Sequence, residues 1–379
     1  MLIAVAMGLA LAGIGPVSAA SSVDAVRAPA ASTVVLPPGF TQVLVATDFW
    51  APTLMAWAPD GRLFFSTQDG QVRIVQDGVL LTKPFLKLKN VDYLPEVGML
   101  GIAFDPAFAT NHYVYVYYTS TTKLPHDQVS RFVANGNVAV AGSETVIWSG
   151  AGPLHDGYHV GGQIGFGIDG KLYIAQGDND YGPNAQDLTT TFGKILRINS
   201  DGTIPTDDPF YTTTTGDARA IWAYGLRNPY TWAFRPGRSL MMIDDVGANT
   251  WEEIDRGHAG ANYGWPITEG PTTDPQFVAP AYAYLHVETP GGECAIIGGA
   301  FYNPPVYTYP AQYKGMYFFA DHCAGWIKTF NPTTGAVNDF MTGGVEPVSL
   351  TVGRDGNIYY MSHPNRGYAS LYKIVPEPE

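Results

Sequence analysis

Three stretches of the chain hold residues whose types could do chemistry. In "GYHVGGQIGFGIDGKLYIAQGDND" (157–180), His159 sits against Gly161 and Gly162, and Asp178 lies near the end of the segment. An imidazole titrates near neutrality and can take up or return a proton, while glycines let a flat ligand approach the backbone. His155 lies four residues before His159, a metal-binding spacing only on a helix, and Asp156, Gly157 and the glycine pair disfavour one there. The competing reading is a turn histidine with no chemical role. In "WAYGLRNPYTWAFRPG" (222–237), Arg227 offers a rigid fork to a carboxylate or oxyanion, and Asn228 can both donate and accept. An Arg packed on Trp232 or Tyr230 and capping a loop is the plainer account. In "DDVGANTWEEIDRGHAGANYGWP" (244–266), Asp244, Asp245, Glu252, Glu253 and Asp255 crowd a glycine-containing loop beside the carbonyls of Gly247 and Ala248. Clustered oxygen donors suit calcium, although EF-hand spacing is absent; a solvated acidic loop would read the same way.

The elements that must position these residues read as strands. The chain has 379 residues, of which 46% are hydrophobic and only 15% charged, with 43 glycines, 29 prolines and 23 tyrosines. That mixture favours many short strands joined by turns over a helical protein. One unit recurs: "PDGRLFFST" (59–67), "IDGKLYIAQ" (168–176) and "RDGNIYYMS" (354–362) each place an Asp-Gly turn before an aliphatic–aromatic strand. "RPGRSLMMIDD" is a degraded copy, and "YKGMYFFADHCAGWIKTF" keeps the strand without the turn; "NHYVYVYYTS" (111–120) is a further aromatic strand. A sheet-sized repeat along the whole chain predicts an all-β, six-bladed β-propeller over residues 36–376. A two-sheet sandwich with long insertions is the alternative, and it leaves the repeat unexplained. No G-x-G-x-x-G opens a helix, which argues against a dinucleotide-binding domain.

A net charge of −13 argues against nucleic acid or an anionic membrane as partner. Residues 1–20 read as a signal peptide ending near "VSA", too short and too broken by glycine and proline to span a membrane. Residues 21–35 read as a flexible mature N-terminus. The expectation is a soluble protein, secreted or periplasmic. Two cysteines, Cys294 and Cys323, suit a disulfide in an exported protein, with two buried thiols as the alternative.

Taken in order, these segments resemble the soluble glucose/sorbosone dehydrogenase family of quinoproteins. The resemblance is carried by "EVGMLGIAFDPAF" (96–108), "HVGGQIGFGIDGKLYIAQGD" (159–178), "GKILRINSDG" (193–202), "YGLRNP" (224–229) and "DVGANTWEEIDRGHAGANYGWP" (245–266). "IIGGAFYNP" (296–304) and "GMYFFADHCAGWI" (315–327) extend it, so that it covers about residues 36 to 375. It implies an aldose dehydrogenase that oxidises the sugar's C1 hydroxyl to the lactone by hydride transfer to pyrroloquinoline quinone, with calcium polarising the quinone and an external electron acceptor. His159 falls on the family's general base, and Asp178 on a carboxylate near that base. Arg227 and Asn228 fall on quinone contacts, and Gly247 and Ala248 on the carbonyls that hold the cofactor's calcium. Glu253 and Tyr263 fall near a second calcium.

Glu96 and Asn303 also fall on quinone-contact positions. Glu96 stands where glucose-oxidising members have Gln, and Tyr158 where they have Asp. The resemblance implies a basic quinone contact where Asn303 stands, and another within "DHCAGWI", where the chain has Cys323, Ala324 and Gly325. Each lost charged contact would weaken quinone binding by about 1.5–3 kcal/mol. The alternatives are a quinone-free propeller that binds a carbohydrate or protein partner, and a calcium-dependent lactonase, for which a central ring of Asp, Asn and Glu ligands is missing.

Overall fold

The computed structural model describes residues 33–93, 95–363 and 368–378. The expected signal peptide, residues 1–20, lies outside them. Of the expected flexible N-terminus only Thr33, Val34 and Val35 are described, and Val35 exchanges both backbone hydrogen bonds with Thr342 at 2.9 and 3.0 Å.

The described chain forms six antiparallel sheets, arranged as a six-bladed β-propeller. The inner strands are Pro52–Trp57, Met99–Phe104, Ile164–Phe166, Pro229–Phe234, Ile296–Phe301 and Pro347–Val352, here taken as blades 1 to 6. The ring closes through blade 6, where the early strand Phe40–Trp50 pairs along its length with the late strand Tyr368–Pro376. Among the described residues, no helix is long and apolar enough to cross a membrane.

Every copy of the sequence repeat is the second strand of a blade: Leu63–Thr67, Tyr113–Ser120, Leu172–Gln176, Met241–Asp245, Tyr317–Asp321 and Ile358–Ser362. In three of the six, the Asp-Gly turn connects the inner strand to it. All of these strands are almost wholly buried, because each packs between its own neighbours and the next blade. The blade interfaces are apolar and need close backbone approach. Between blades 3 and 4, the Trp232 indole lies over Gly165, where an added Cβ would come within 2.9 Å of the ring.

The acidic run of the sequence departs from expectation here. Asp244, Asp245, Glu252, Glu253 and Asp255 are strand residues of blade 4, and all are buried. Antiparallel pairing matches Asp245 to Glu253 and Asp244 to Ile254, and alternation then sorts the carboxylates onto two faces. Asp244 and Glu252 face blade 5, where Asp244 accepts from Tyr317 Oη and Thr231 Oγ1, both at 2.8 Å. A solvated loop is therefore excluded for these five residues.

Burial pushes the Asp244 carboxyl up to about 7 against the pull of those two hydroxyls, and burial likewise pushes Asp127 up to about 6. The native state then binds more protons than the unfolded chain between about pH 4 and 7, so these groups lower stability as pH rises through that window. We expect Tm to fall across it and the Asp244→Asn variant to show a shallower fall. An unchanged slope in that variant would contradict the assignment.

Candidate functional site

The N-terminal ends of the six inner strands surround a cavity of about 600 Å³. Two kinds of segment reach its mouth: the residues entering each inner strand, and the turns leaving each second strand. Glu96, Val160, Gly161 and Asn228 come from the first kind, and Val246, His322 and His363 from the second; His159 directly precedes Val160, and Gly247 and Ala248 follow Val246.

His159 and Asp178 meet because Gly177 lets the turn of blade 3 lie on the histidine backbone. A Cβ at Gly177 would stand 2.0 Å from the His159 carbonyl oxygen. His159 itself has φ +50°, a conformation costly for a side chain of this type, and it is pinned from both sides. Its N–H donates to Glu96 Oε2 at 2.9 Å, and its carbonyl accepts from the Asn179 N–H at 3.2 Å. The next carbonyl, that of Val160, accepts from the buried Tyr117 hydroxyl at 2.7 Å.

The imidazole's Nδ1 lies 2.8 Å from Asp178 Oδ1, and the other carboxylate oxygen accepts from Trp265 Nε1 at 2.8 Å. Asp178 is 1% exposed. An ionised carboxylate only accepts, so Nδ1 carries the proton and Nε2 presents a lone pair. His155 does not join this group: it is exposed, in no helix, and 3.3 Å from the exposed Asp156.

Asn228 turns its Oδ1 to the Gly161 N–H at 3.0 Å, which leaves its amide nitrogen for the cavity it lines. Asp245 holds the backbone beneath, accepting from the N–H groups of Arg227 (2.9 Å) and Asn228 (2.7 Å). The Arg227 side chain stays at the rim, donating to the Val246 carbonyl at 3.0 Å with its guanidinium 5.7 Å from the Trp265 ring centre.

The loop bearing Gly247 and Ala248 is clamped by carboxylates. Glu252 Oε2 accepts from Gly247 at 3.2 Å and from Ile296, in blade 5, at 2.9 Å. Glu269 Oε1 accepts from the N–H groups of Ala248, Asn249, Thr250 and Trp251 at 2.8–3.3 Å. The Gly247 and Ala248 carbonyls accept no hydrogen bond from the described residues, so two oxygen donors stay open. Behind this loop a small pocket is lined by Asp245, Glu253, Tyr263 and Glu269. Burial, and then the charge of Asp245, pushes Glu253 up to about 8, and burial pushes Asp245 up to about 7. The Tyr263 hydroxyl is spent on the Arg256 carbonyl at 2.8 Å, so only its main-chain carbonyl remains as an oxygen donor.

Two expectations need correction. Asn303 does not reach this site. It follows the C-terminal end of the blade 5 inner strand, whereas the cavity gathers the N-terminal ends, and its amide nitrogen donates to Tyr307 Oη at 3.1 Å. The turn after the blade 5 second strand does line the cavity, but through His322 and Cys323 and not through Ala324 or Gly325. Cys323 is in a disulfide with Cys294, as expected. Trp265, Glu269, Glu346, His322 and His363 are site residues that reading the motifs missed. Aligning the repeats at their strand ends finds His322 and His363, which lie one residue past a second strand, as Asp178 lies two residues past another.

A family model described as Glucose / Sorbosone dehydrogenase matches residues 49–317. The chain is 29% identical over 221 residues to Aldose sugar dehydrogenase YliI of Escherichia coli, covering 57% of this chain and 59% of that protein. It is 28% identical over 282 residues to Quinoprotein glucose dehydrogenase B of Acinetobacter calcoaceticus, covering 65% and 55%. The chain thus spans less than two thirds of the length of these curated relatives. The PQQ-bound aldose sugar dehydrogenase of Streptomyces coelicolor superposes with a TM-score of 0.74 at 22% identity, covering 90% of this chain and all of that one, a likeness of fold.

Burial opposes charge on Glu269, but its four N–H donors prevail and hold its carboxyl below the ordinary value. Glu269→Ala should therefore cut hydrogen-exchange protection at amides 248–251 by about tenfold or more, with strand 241–245 unaffected. Unchanged protection at 248–251 would show that the clamp is not needed.

Proposed function

Because the chain belongs to the glucose/sorbosone dehydrogenase family, we propose that it oxidises the C1 hydroxyl of an aldose to the lactone, with pyrroloquinoline quinone and calcium as cofactors. The observation that carries this reading is the His159–Asp178 pair, held next to the cavity-lining Val160 and Gly161, in a site whose Gly247 and Ala248 carbonyls are open and whose cavity Asn228 lines.

The donor set fits the cofactors in kind. Calcium takes neutral carbonyl oxygens, and Gly247 and Ala248 offer two on a loop whose N–H groups are already spent on Glu252 and Glu269. Asn228 and the Arg227 guanidinium offer donors near the same mouth. Glu253, Asp245 and the Tyr263 carbonyl would hold a second calcium, whose charge would draw both raised carboxyls back toward ionisation. When bound, the quinone supplies the two-electron acceptor that no amino-acid side chain provides.

The chain's own part is proton transfer and positioning. His159 Nε2 takes the C1 hydroxyl proton, and the resulting imidazolium is stabilised by Asp178 across 2.8 Å. Trp265 keeps Asp178 turned toward His159, and Glu96 fixes the strained histidine backbone. Electrons leave to an external acceptor. The disulfide suits an oxidising compartment, periplasmic or extracellular.

A second reading, a quinone-free module that binds carbohydrate or protein, rests on charge. Among its described lining residues the cavity has no Lys or Arg, and it includes Glu96 and Glu346. Adding quinone and calcium to the apoprotein, then following quinone absorbance and dye reduction with a panel of aldoses, separates the two readings. Turnover is expected, and His159→Ala should cut kcat by on the order of 10²–10⁴-fold with quinone binding retained. No spectral change and no turnover at micromolar quinone would favour the second reading. Undiminished turnover in the variant would remove His159 from the mechanism.

A further inference from the structure

We infer that His322 binds an anionic carboxylate of the cofactor at the blade 5 wall of the central cavity, supplying the positive charge that neither Asn303 nor Ala324 can give. The inference rests on the quinone reading above and concerns a residue that motif reading passed over.

Four second strands deliver exit residues to the cavity: Gln68 in blade 1, Val246 in blade 4, His322 in blade 5, directly after Tyr317–Asp321, and His363 in blade 6. The histidine is held at several points. Its N–H donates to the Ala295 carbonyl at 2.9 Å, and its Nδ1 lies 3.1 Å from the Pro347 carbonyl in blade 6. A carbonyl only accepts, so Nδ1 carries a proton, and Nε2 is the ring nitrogen left for a ligand.

The flanking backbone is equally fixed. The wholly buried Asp321 carboxylate accepts from the N–H groups of Cys294, Ala295, Cys323 and Ala324 at 2.8–3.2 Å, and from Tyr284 Oη at 2.9 Å. The Cys294–Cys323 disulfide ties the same two segments covalently. Five donors saturate Asp321, so its charge is directed at backbone and tyrosine, and the imidazole beside it stays available to the cavity.

The wall thus presents a fixed imidazole in a cavity that also holds Glu96 and Glu346. With His363 it is one of two described lining groups able to carry positive charge. A protonated imidazole donates a charge-assisted hydrogen bond to a carboxylate, whereas a neutral amide in its place donates a weaker one.

The test is the dissociation constant of pyrroloquinoline quinone, measured by absorbance or fluorescence titration of calcium-loaded protein without sugar. His322→Ala and His322→Gln should each weaken binding by about tenfold or more, and His322→Arg should hold or tighten it. Thermal melts of the three variants report whether the wall still folds, and the arginine variant keeps the test decisive if alanine unfolds the turn. Quinone bound with the same constant by wild type, His322→Ala and His322→Arg overturns this inference alone. A wild-type protein that takes up no quinone overturns the functional reading with it.

Discussion

The carboxylate of Asp178 is the contact on which the rest of the site depends. One oxygen faces His159 Nδ1 and the other takes the Trp265 indole N–H, each at 2.8 Å. That division joins the loop entering blade 3, the turn leaving its second strand and the loop beyond the third strand of blade 4. It also decides which ring nitrogen of His159 is free. Without a fixed acceptor at Nδ1 the imidazole could adopt either tautomer, and a base that presents N–H in place of a lone pair does no work. Near-complete burial of Asp178 makes the arrangement strict, since no solvent competes for its oxygens.

The same device recurs around the cavity. Loops at a propeller face have backbone N–H groups that no strand satisfies, and burying them unpaired would cost about 1–3 kcal/mol each. Here buried or half-buried carboxylates collect them: Asp245 takes Arg227 and Asn228, Glu252 takes Gly247 and Ile296, Glu269 takes four in succession, and Asp321 takes four from two segments. Each clamp satisfies donors and leaves the carbonyls of its loop pointing elsewhere. At Gly247 and Ala248 this produces open oxygens, the donor type calcium takes. These acidic residues are thus part of the site's construction, fixing its loops.

The propeller was legible because its repeat is physical. A buried second strand rich in aliphatic and aromatic residues recurs in every blade, and in three of them an Asp-Gly turn announces it. His159, Asp178 and Asn228 were legible through glycine-flanked motifs. The acidic run misled because spacing in "DDVGANTWEEID" does not reveal that strands occupy both its ends, with the carboxylates alternating between two blade interfaces. Asn303 misled for a topological reason: a motif spanning an inner strand has one end at the site and the other at the opposite face. Trp265 stands at the end of the 245–266 motif and Glu269 lies three residues past it, but the first reaches Asp178 across 87 positions and the second reaches back to residues 248–251, and no local pattern announces such contacts.

The central claim is that Asp178 fixes His159 as the Nδ1–H tautomer with a bare Nε2. Two-bond ¹H–¹⁵N correlation spectra of protein labelled at histidine nitrogens read this directly, with His159 assigned from the His159→Gln variant. At neutral pH the account predicts a protonated Nδ1 and an unprotonated Nε2 for His159, and loss of that single-tautomer pattern in Asp178→Ala. A His159 signal showing Nε2–H, or an equal mixture of tautomers in the wild-type protein, would contradict it.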